Sequence, residues 1–139
     1  EYYTPIGKGI VRREGSDVTI VATQVCMLKA LEAAKIMAKE GVSVEVIDLR
    51  TIIPWDKELV FESVRKTGRV IVSNEAPISF GITGEICTCI AEECFDDLSA
   101  PPMRVCGKDV VIPFNKELEQ RVIPQVPDFC DMIRKIMAY

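Results

Sequence analysis

The chain has 139 residues, 48% of them hydrophobic, and its 17 basic and 21 acidic side chains give a net charge of −4. This length fits one domain with a conventional core. The basic residues form no stripe, so nucleic-acid binding is not expected. No apolar run approaches the roughly 20 residues of a membrane-spanning helix, and no signal peptide is visible. Because the sequence does not begin with methionine, we expect the natural protein to extend upstream.

Six cysteines lie among apolar neighbours, at positions 26, 87, 89, 94, 106 and 130. Their density is low for a secreted disulfide scaffold, so reduced thiols are predicted. The chain contains no histidine, which excludes Ser–His–Asp and Cys–His catalysis and mixed Cys/His zinc sites. On a helix, Cys87 and Cys89 would project about 200° apart and could not hold one ion together. The sequence therefore predicts no metal site.

Strands and helices alternate along the chain, with short connections. Residues 1–16 are predicted to be an extended leading segment, or linker from a missing N-terminal domain, and residues 17–139 the domain itself. The predicted strands cover 17–23, 42–48, 69–73 and 103–106, and the predicted helices cover 25–40, 57–67, 82–98, 116–121 and 128–137. This alternation predicts an α/β fold with three layers, α/β/α, around a mostly parallel sheet of roughly five strands.

The segment 45–75 is the most informative part of the sequence. Pro54 stops an extended run, and Asp56 stands where the next helix should have its N-cap. That helix is predicted to end at Gly68, after basic residues in its last turn. Polar groups therefore fall at the carboxyl ends of two strands, where open α/β sheets bind their ligands.

These strand-end residues form a predicted rim, made of Asp48, Arg50, Trp55, Asp56, Glu75 and Phe80. The carboxylates and the guanidinium could form a binding rim or an acid–base pair. The simpler interpretation is that Asp56 caps a helix and Arg50 pairs with Asp48 or Glu75. Trp55 and Phe80 suit either a protein interface or a partly buried core position. With no neighbouring nucleophile or base, these residues predict no reaction, and we assign no catalytic residue.

Two glycines open the predicted helix at Ile82, in the order Gly81-Ile82-Thr83-Gly84. The pattern matches neither the dinucleotide glycine motif nor a P-loop. Glycines at such a position more often permit close packing or a tight turn than phosphate binding.

Longer motifs carry a family resemblance. They are Arg13–Thr19, Ala30–Ala34, Glu45–Thr51, Pro54–Asp56, Ser63–Arg69, Gly84–Ile86, Ala100-Pro101, Arg104–Gly107 and the loop at Pro113. In this order and spacing the chain resembles the C-terminal domain of the transketolase superfamily. It is most similar to that domain in the beta subunit of the thiamine-diphosphate-dependent decarboxylases of 2-oxoacid dehydrogenase complexes.

Features of several branches of this family occur together. Ser73–Pro77 and Glu92–Phe95 resemble the branched-chain 2-oxoacid enzymes, although those usually carry His where this chain has Asn74. The stretch Ile112–Asn115 resembles the pyruvate and acetoin enzymes. The 2-oxoacid, or acetoin, that serves as substrate therefore stays open.

The resemblance implies that the chemistry lies outside this chain. In this family thiamine diphosphate, with magnesium, sits between the alpha subunit and the N-terminal half of the beta subunit. The resemblance therefore implies no cofactor-binding residue here. It implies an alpha subunit and a second beta subunit as partners, and a location in the cytoplasm or, in a eukaryote, the mitochondrial matrix.

The resemblance also implies docking of the acyltransferase subunit-binding domain. Pyruvate-type relatives use the terminal carboxylate and an acidic residue before Ala-Pro, both facing basic side chains. Here Tyr139 supplies the terminus, Ser99 replaces the acid, and Asp97 is a nearby substitute. Two other functions stay open, a transketolase-type domain that uses Arg50 and Gly81 for phosphate and an independent binding module that uses Asp48, Arg50 and Glu75.

Overall fold

The computed structural model describes residues 3–139. Five strands lie within this range: β1 (Ile10–Arg13), β2 (Val18–Ala22), β3 (Val44–Asp48), β4 (Val70–Pro77) and β5 (Met103–Gly107). The helices of the same range are α1 (Gln24–Lys39), α2 (Lys57–Thr67), α3 (Ile82–Glu93), α4 (Lys116–Val122) and α5 (Val126–Met137), with a 3-10 helix at Phe95–Asp97.

The five strands form one sheet in the order β1-β3-β2-β4-β5. β1 is antiparallel to β3, whereas β3, β2, β4 and β5 run parallel to one another. All five residues of β2 and of β3 are buried, as expected for parallel strands with helices on both faces. The predicted mostly parallel, five-stranded α/β sheet is confirmed.

Two apolar cores cover the two faces of the sheet. One joins α1 and α5 to the sheet through residues such as Ala30, Phe129 and Ile133. The other joins α2 and α3 to the opposite face through residues such as Val64 and Ile90. The three-layer architecture is therefore present as predicted.

The parallel strands give the sheet a carboxyl edge and an amino edge. The loops that follow β3, β4 and β5 meet at the carboxyl edge. The helices return the chain to the amino edge, so α1 ends there. Arg134 of α5 pairs with Glu40, the C-cap of α1, at 2.6 Å, so α5 also ends near the amino edge.

The structure differs from the sequence predictions at three boundaries. Residues 10–13, predicted as part of an extended leading segment, form β1 and pair with β3. α3 ends at Glu93, and its predicted last turn is the 3-10 helix instead. β4 continues to Pro77 because its end still pairs with Gly107 of β5.

Candidate functional site at the two edges of the sheet

Asp48, at the end of β3, is held by a residue that the sequence prediction did not include. Arg12 of β1 donates to Oδ2 of Asp48 from Nη2 at 2.9 Å and from Nε at 3.2 Å. The expected pairing of Asp48 with Arg50 is therefore wrong. These two donations to one oxygen tie the edge strand to the sheet. Because Asp48 is almost fully buried, little carboxylate surface is left for a ligand.

Arg50 and Glu75 do not meet. β2 lies between their strands, so about 10 Å of sheet separates the strand ends. Arg50 has a positive φ of 62°. Glu75 lies instead near Cys26: burial raises the pKa of the Cys26 thiol, and the Glu75 carboxylate adds to the rise. The expected pairing of Arg50 with Glu75 is also absent within residues 3–139.

Asp56 acts as the N-cap of α2. Its Oδ1 accepts from the backbone N–H of Leu59 at 3.4 Å, and its Oδ2 accepts from that of Gly9 at 3.1 Å. Lys8 adds an ion pair at 3.7 Å. The structural interpretation of Asp56 is confirmed, with the addition that it ties the segment before β1 to α2.

The two aromatic residues of the predicted rim have different environments. Trp55 is half-buried against the α2–α3 core and meets Phe61 edge-to-face, with ring centroids 5.8 Å apart. Phe80 is fully exposed. Trp55 is thus a partly buried core residue, and Phe80 is available for a partner.

Phe80 is one member of a larger exposed surface formed by the loops after β3, β4 and β5. We call it the carboxyl-edge apolar surface, and its members are Ile52, Ile53, Phe80, Val111, Ile112 and Phe114. Ile53, Phe80, Val111 and Phe114 are each at least 91% exposed. One open cavity joins the loop at 52–55 to Ile82, next to Phe80, and another joins Ser79 to Val111.

The predicted docking residues lie near the other edge of the sheet. Asp97 pairs with Arg65 at 3.6 Å, and Ser99 donates its N–H to the carbonyl of Gly68 at 2.8 Å. Both therefore lie just before β4 and β5 begin. Tyr139, largely exposed, follows α5, which also ends near the amino edge. The structure thus places all three residues toward the amino edge, apart from the rim.

A buried polar network at the amino edge is absent from the sequence prediction. Glu45, almost fully buried, accepts hydrogen bonds from Ser63, Lys66 and the N–H of Gly15. Ser63 also lies 2.6 Å from the hydroxyl of Thr19. The sequence did carry a sign of this network, because Glu45 stands between Val44 and Val46 in an apolar strand. The network joins β2, β3, α2 and the turn after β1.

Two features of residues 3–139 bear on metal and phosphate binding. Within residues 3–139, no three His, Cys, Asp or Glu side chains are grouped to hold a metal ion. At the glycine pair that opens α3, a Cβ on Gly81 would lie 2.7 Å from the carbonyl oxygen of Pro77. That glycine permits close backbone packing, and the carbonyl oxygen it faces would repel a phosphate.

The cysteines are free thiols. Burial raises the pKa of Cys87 to about 12 and also raises the pKa of Cys89, Cys94 and Cys130. Such thiols are poor nucleophiles at neutral pH. No helix among residues 3–139 is long and apolar enough to cross a membrane.

Comparison with known proteins agrees with this fold. The chain is 45% identical over its whole length to 2-oxoisovalerate dehydrogenase subunit beta 2, mitochondrial, of Arabidopsis thaliana, and spans 38% of that protein. Over 98% of its length it is 42% identical to pyruvate dehydrogenase E1 component subunit beta, mitochondrial, of Dictyostelium discoideum. It again spans 38% of that protein.

A solved structure of a split-gene transketolase, an inactive beta4 tetramer, superposes with a TM-score of 0.83 at 32% identity. The match covers 95% of this chain and 43% of that one. The chain thus spans less than half the length of these relatives. The family described as transketolase, C-terminal domain, matches residues 7–128, and the chain belongs to this family.

Proposed function

We propose that this chain is the C-terminal assembly and docking domain of the beta subunit of a 2-oxoacid dehydrogenase decarboxylase, and that it is not itself catalytic. The full enzyme would oxidatively decarboxylate a 2-oxoacid and pass the acyl group to lipoyl groups of the complex. Its thiamine diphosphate and magnesium would be held by other parts of that enzyme. The identity to two beta subunits supports this proposal.

The observation that carries the assembly role is the carboxyl-edge apolar surface. Ile53, Phe80, Val111 and Phe114 are exposed almost completely, and large exposed apolar patches usually mark protein interfaces. Two carboxylates at this edge are engaged within the chain, Asp48 by Arg12 and Asp56 by the backbone N–H of Gly9. We assign this surface to a second beta subunit, with the alpha subunit as the other partner of the assembly.

Sedimentation velocity over a range of concentrations tests the assembly role. We expect the chain to self-associate, and the variant Phe114→Glu to weaken self-association at least tenfold because it places a charge on the apolar surface. The matched control is Phe95→Glu, which makes the same change at another exposed phenylalanine, 74% exposed and near the amino edge. A monomeric wild-type chain, or equal effects of the two variants, would contradict the assignment of this surface.

The docking role rests on the amino edge. Tyr139, Ser99 and Asp97 lie toward that edge, with Tyr139 after α5 on one face of the sheet and Asp97 beside α2 on the other. A basic subunit-binding domain of the acyltransferase could meet the carboxylate of Tyr139 or that of Asp97. Ser99 cannot supply the acidic contact itself, and Asp97 would share its carboxylate with Arg65. The names of both relatives include the word mitochondrial, which supports a mitochondrial matrix location in a eukaryote and the cytoplasm otherwise.

The split-gene transketolase favours a second candidate, a transketolase-type domain that helps to bind a sugar phosphate. The close approach of Gly81 to the carbonyl of Pro77 weighs against a phosphate site there. The candidate predicts a rise in melting temperature with a pentose phosphate, and loss of that rise in Arg50→Gln. No rise with the ligand would exclude phosphate binding by this chain.

A further inference from the structure

β5 is the outer strand of the sheet opposite β1, and one of its sides is open. Among residues 3–139, its one partner strand is β4. The carbonyl of Gly107 accepts from Ile78 on the β4 side at 2.9 Å, whereas the N–H of Lys108 donates to Val122 on the other side at 3.0 Å. Backbone groups alternate in direction along a strand. Arg104 and Cys106 therefore direct their N–H and C=O groups toward the open side, where no strand within residues 3–139 pairs with them.

A groove of about 560 Å³ runs along this open side. Its floor includes Val105 and Cys106 of β5, and its walls include Met132 of α5 and the stretch 120–125, which covers the end of α4 and the residues after it. This volume is within the usual range of ligand sites. A sheet edge with free backbone groups is a template for one more strand.

The charges of the groove favour an acidic occupant. Lys108, Arg121 and Lys135 line it, and within residues 3–139 the side chain of none of them makes a hydrogen bond or an ion pair. Its two carboxylates are engaged: Asp128 accepts from the N–H of Gln125 at 2.7 Å, and Asp131 pairs with Arg134 at 2.9 Å. Three unpaired cations thus line one groove of a chain whose net charge is −4.

We propose that the open side of β5 binds an extended acidic segment of a partner protein, which adds to the sheet as a further strand. The backbone groups of Arg104 and Cys106 would supply the ladder, and Lys108, Arg121 and Lys135 would select acidic side chains. This site shares no residue with the carboxyl-edge apolar surface or with the docking residues at the amino edge. It does not depend on the proposed dehydrogenase role.

The test uses the 139-residue chain and the peptide acetyl-Glu-Val-Asp-Val-Glu-amide, followed by NMR. We expect the amide signals of Arg104 and Cys106 to shift and their hydrogen exchange to slow. Two further peptides carry N-methyl groups on the odd or on the even residues. Only alternate residues of a strand face its neighbour. One methylated peptide should therefore bind at least tenfold more weakly, while the other binds within about threefold of the parent.

Charge selection is tested with the double variant Arg121→Glu/Lys135→Glu, for which we expect a loss of affinity of about tenfold. The control Lys35→Glu/Lys39→Glu makes the same change of net charge on exposed positions of α1 and should bind normally. Equal binding of both methylated peptides would show contact with a small anionic group instead of strand addition. That result, no binding at several millimolar peptide, or equal binding of a lysine peptide would overturn the proposal.

Discussion

The Glu45 network offers the sharpest test of how the amino edge is held together. Burial alone would raise the pKa of Glu45, but hydrogen bonds from Lys66, Ser63 and Gly15 outweigh it, so the pKa is lowered. The Glu45 hydrogen bond in turn raises the pKa of Lys66. The pair is therefore stabilising when both groups are charged.

We expect Glu45→Gln to lower the free energy of unfolding by about 2 kcal/mol. Breaking a fully buried ion pair costs about 3–5 kcal/mol, but Lys66 is 45% exposed and regains water. The glutamine oxygen can still accept one of the three hydrogen bonds. Hydrogen bonds to a charged group contribute about 1.5–3 kcal/mol, which gives the figure of about 2. For a chain of this size the melting temperature should fall by about 6–8 °C.

The pH dependence follows from the direction of each shift. The contribution of Glu45 is complete above its unfolded pKa, near 4.5, and is lost as the pH falls through its lowered folded value. The contribution of Lys66 is complete below 10.5 and is lost as the pH rises through its raised folded value. The stability gap between wild type and Glu45→Gln should therefore be widest near pH 7 and should narrow below pH 4.5.

Urea unfolding at pH 7 and pH 3.5 measures this gap. The matched control is Glu14→Gln, which removes a second carboxylate bonded to Lys66, at 3.4 Å, but one that is 81% exposed. Exposed pairs contribute about 0–1 kcal/mol. If Glu45→Gln is no less stable than Glu14→Gln at pH 7, or if its gap to wild type is the same at both pH values, the reasoning is refuted.

Three further perturbations have outcomes set by single contacts. Asp56→Ala removes the α2 cap and the hydrogen bond from Gly9. In urea unfolding it should lower the free energy of unfolding by about 1–2 kcal/mol. Unchanged stability would contradict the capping role. Gly15→Ala would place a Cβ 2.2 Å from the backbone of Val44 and Glu45. We expect this overpacking to lower the free energy of unfolding by about 1–3 kcal/mol. Unchanged stability would contradict that close approach. The pKa of Cys87 is raised to about 12 from an ordinary value of 9.0, so little reactive thiolate is present in the native protein. Native Cys87 should therefore react with iodoacetamide about a thousandfold more slowly than Cys87 in urea, as measured by mass spectrometry. Equal rates would show that the thiol is accessible.

Local signals were enough to predict the central elements. Asp56 and Gly68 marked the limits of α2, and the structure has Asp56 as the N-cap and Gly68 as a left-handed C-cap. Continuous apolar runs predicted β2 and β3 because parallel strands are buried on both faces. These features depend on neighbours within a few residues, so the sequence shows them directly.

Features that depend on distant pairing were not predictable. β1 is a four-residue strand, exposed at alternate residues, and it pairs with β3, more than 30 residues later. Its Arg12 therefore gave no sign of pairing with Asp48. The expected pairing of Arg50 with Glu75 is absent for the same reason, since β2 lies between β3 and β4 and separates the two strand ends. Sequence also could not distinguish the half-buried Trp55 from the exposed Phe80.

Docking of the acyltransferase is the part of the account that a single titration tests most directly. The chain would be titrated calorimetrically with the acyltransferase subunit-binding domain at two salt concentrations. Parallel samples would carry an extension after Tyr139, the substitution Asp97→Asn, or the control Tyr139→Phe, which keeps the terminal carboxylate. We expect salt-sensitive binding that the extension abolishes, Asp97→Asn weakens and Tyr139→Phe preserves. No binding by the folded chain, or binding that none of these changes affects, would contradict it.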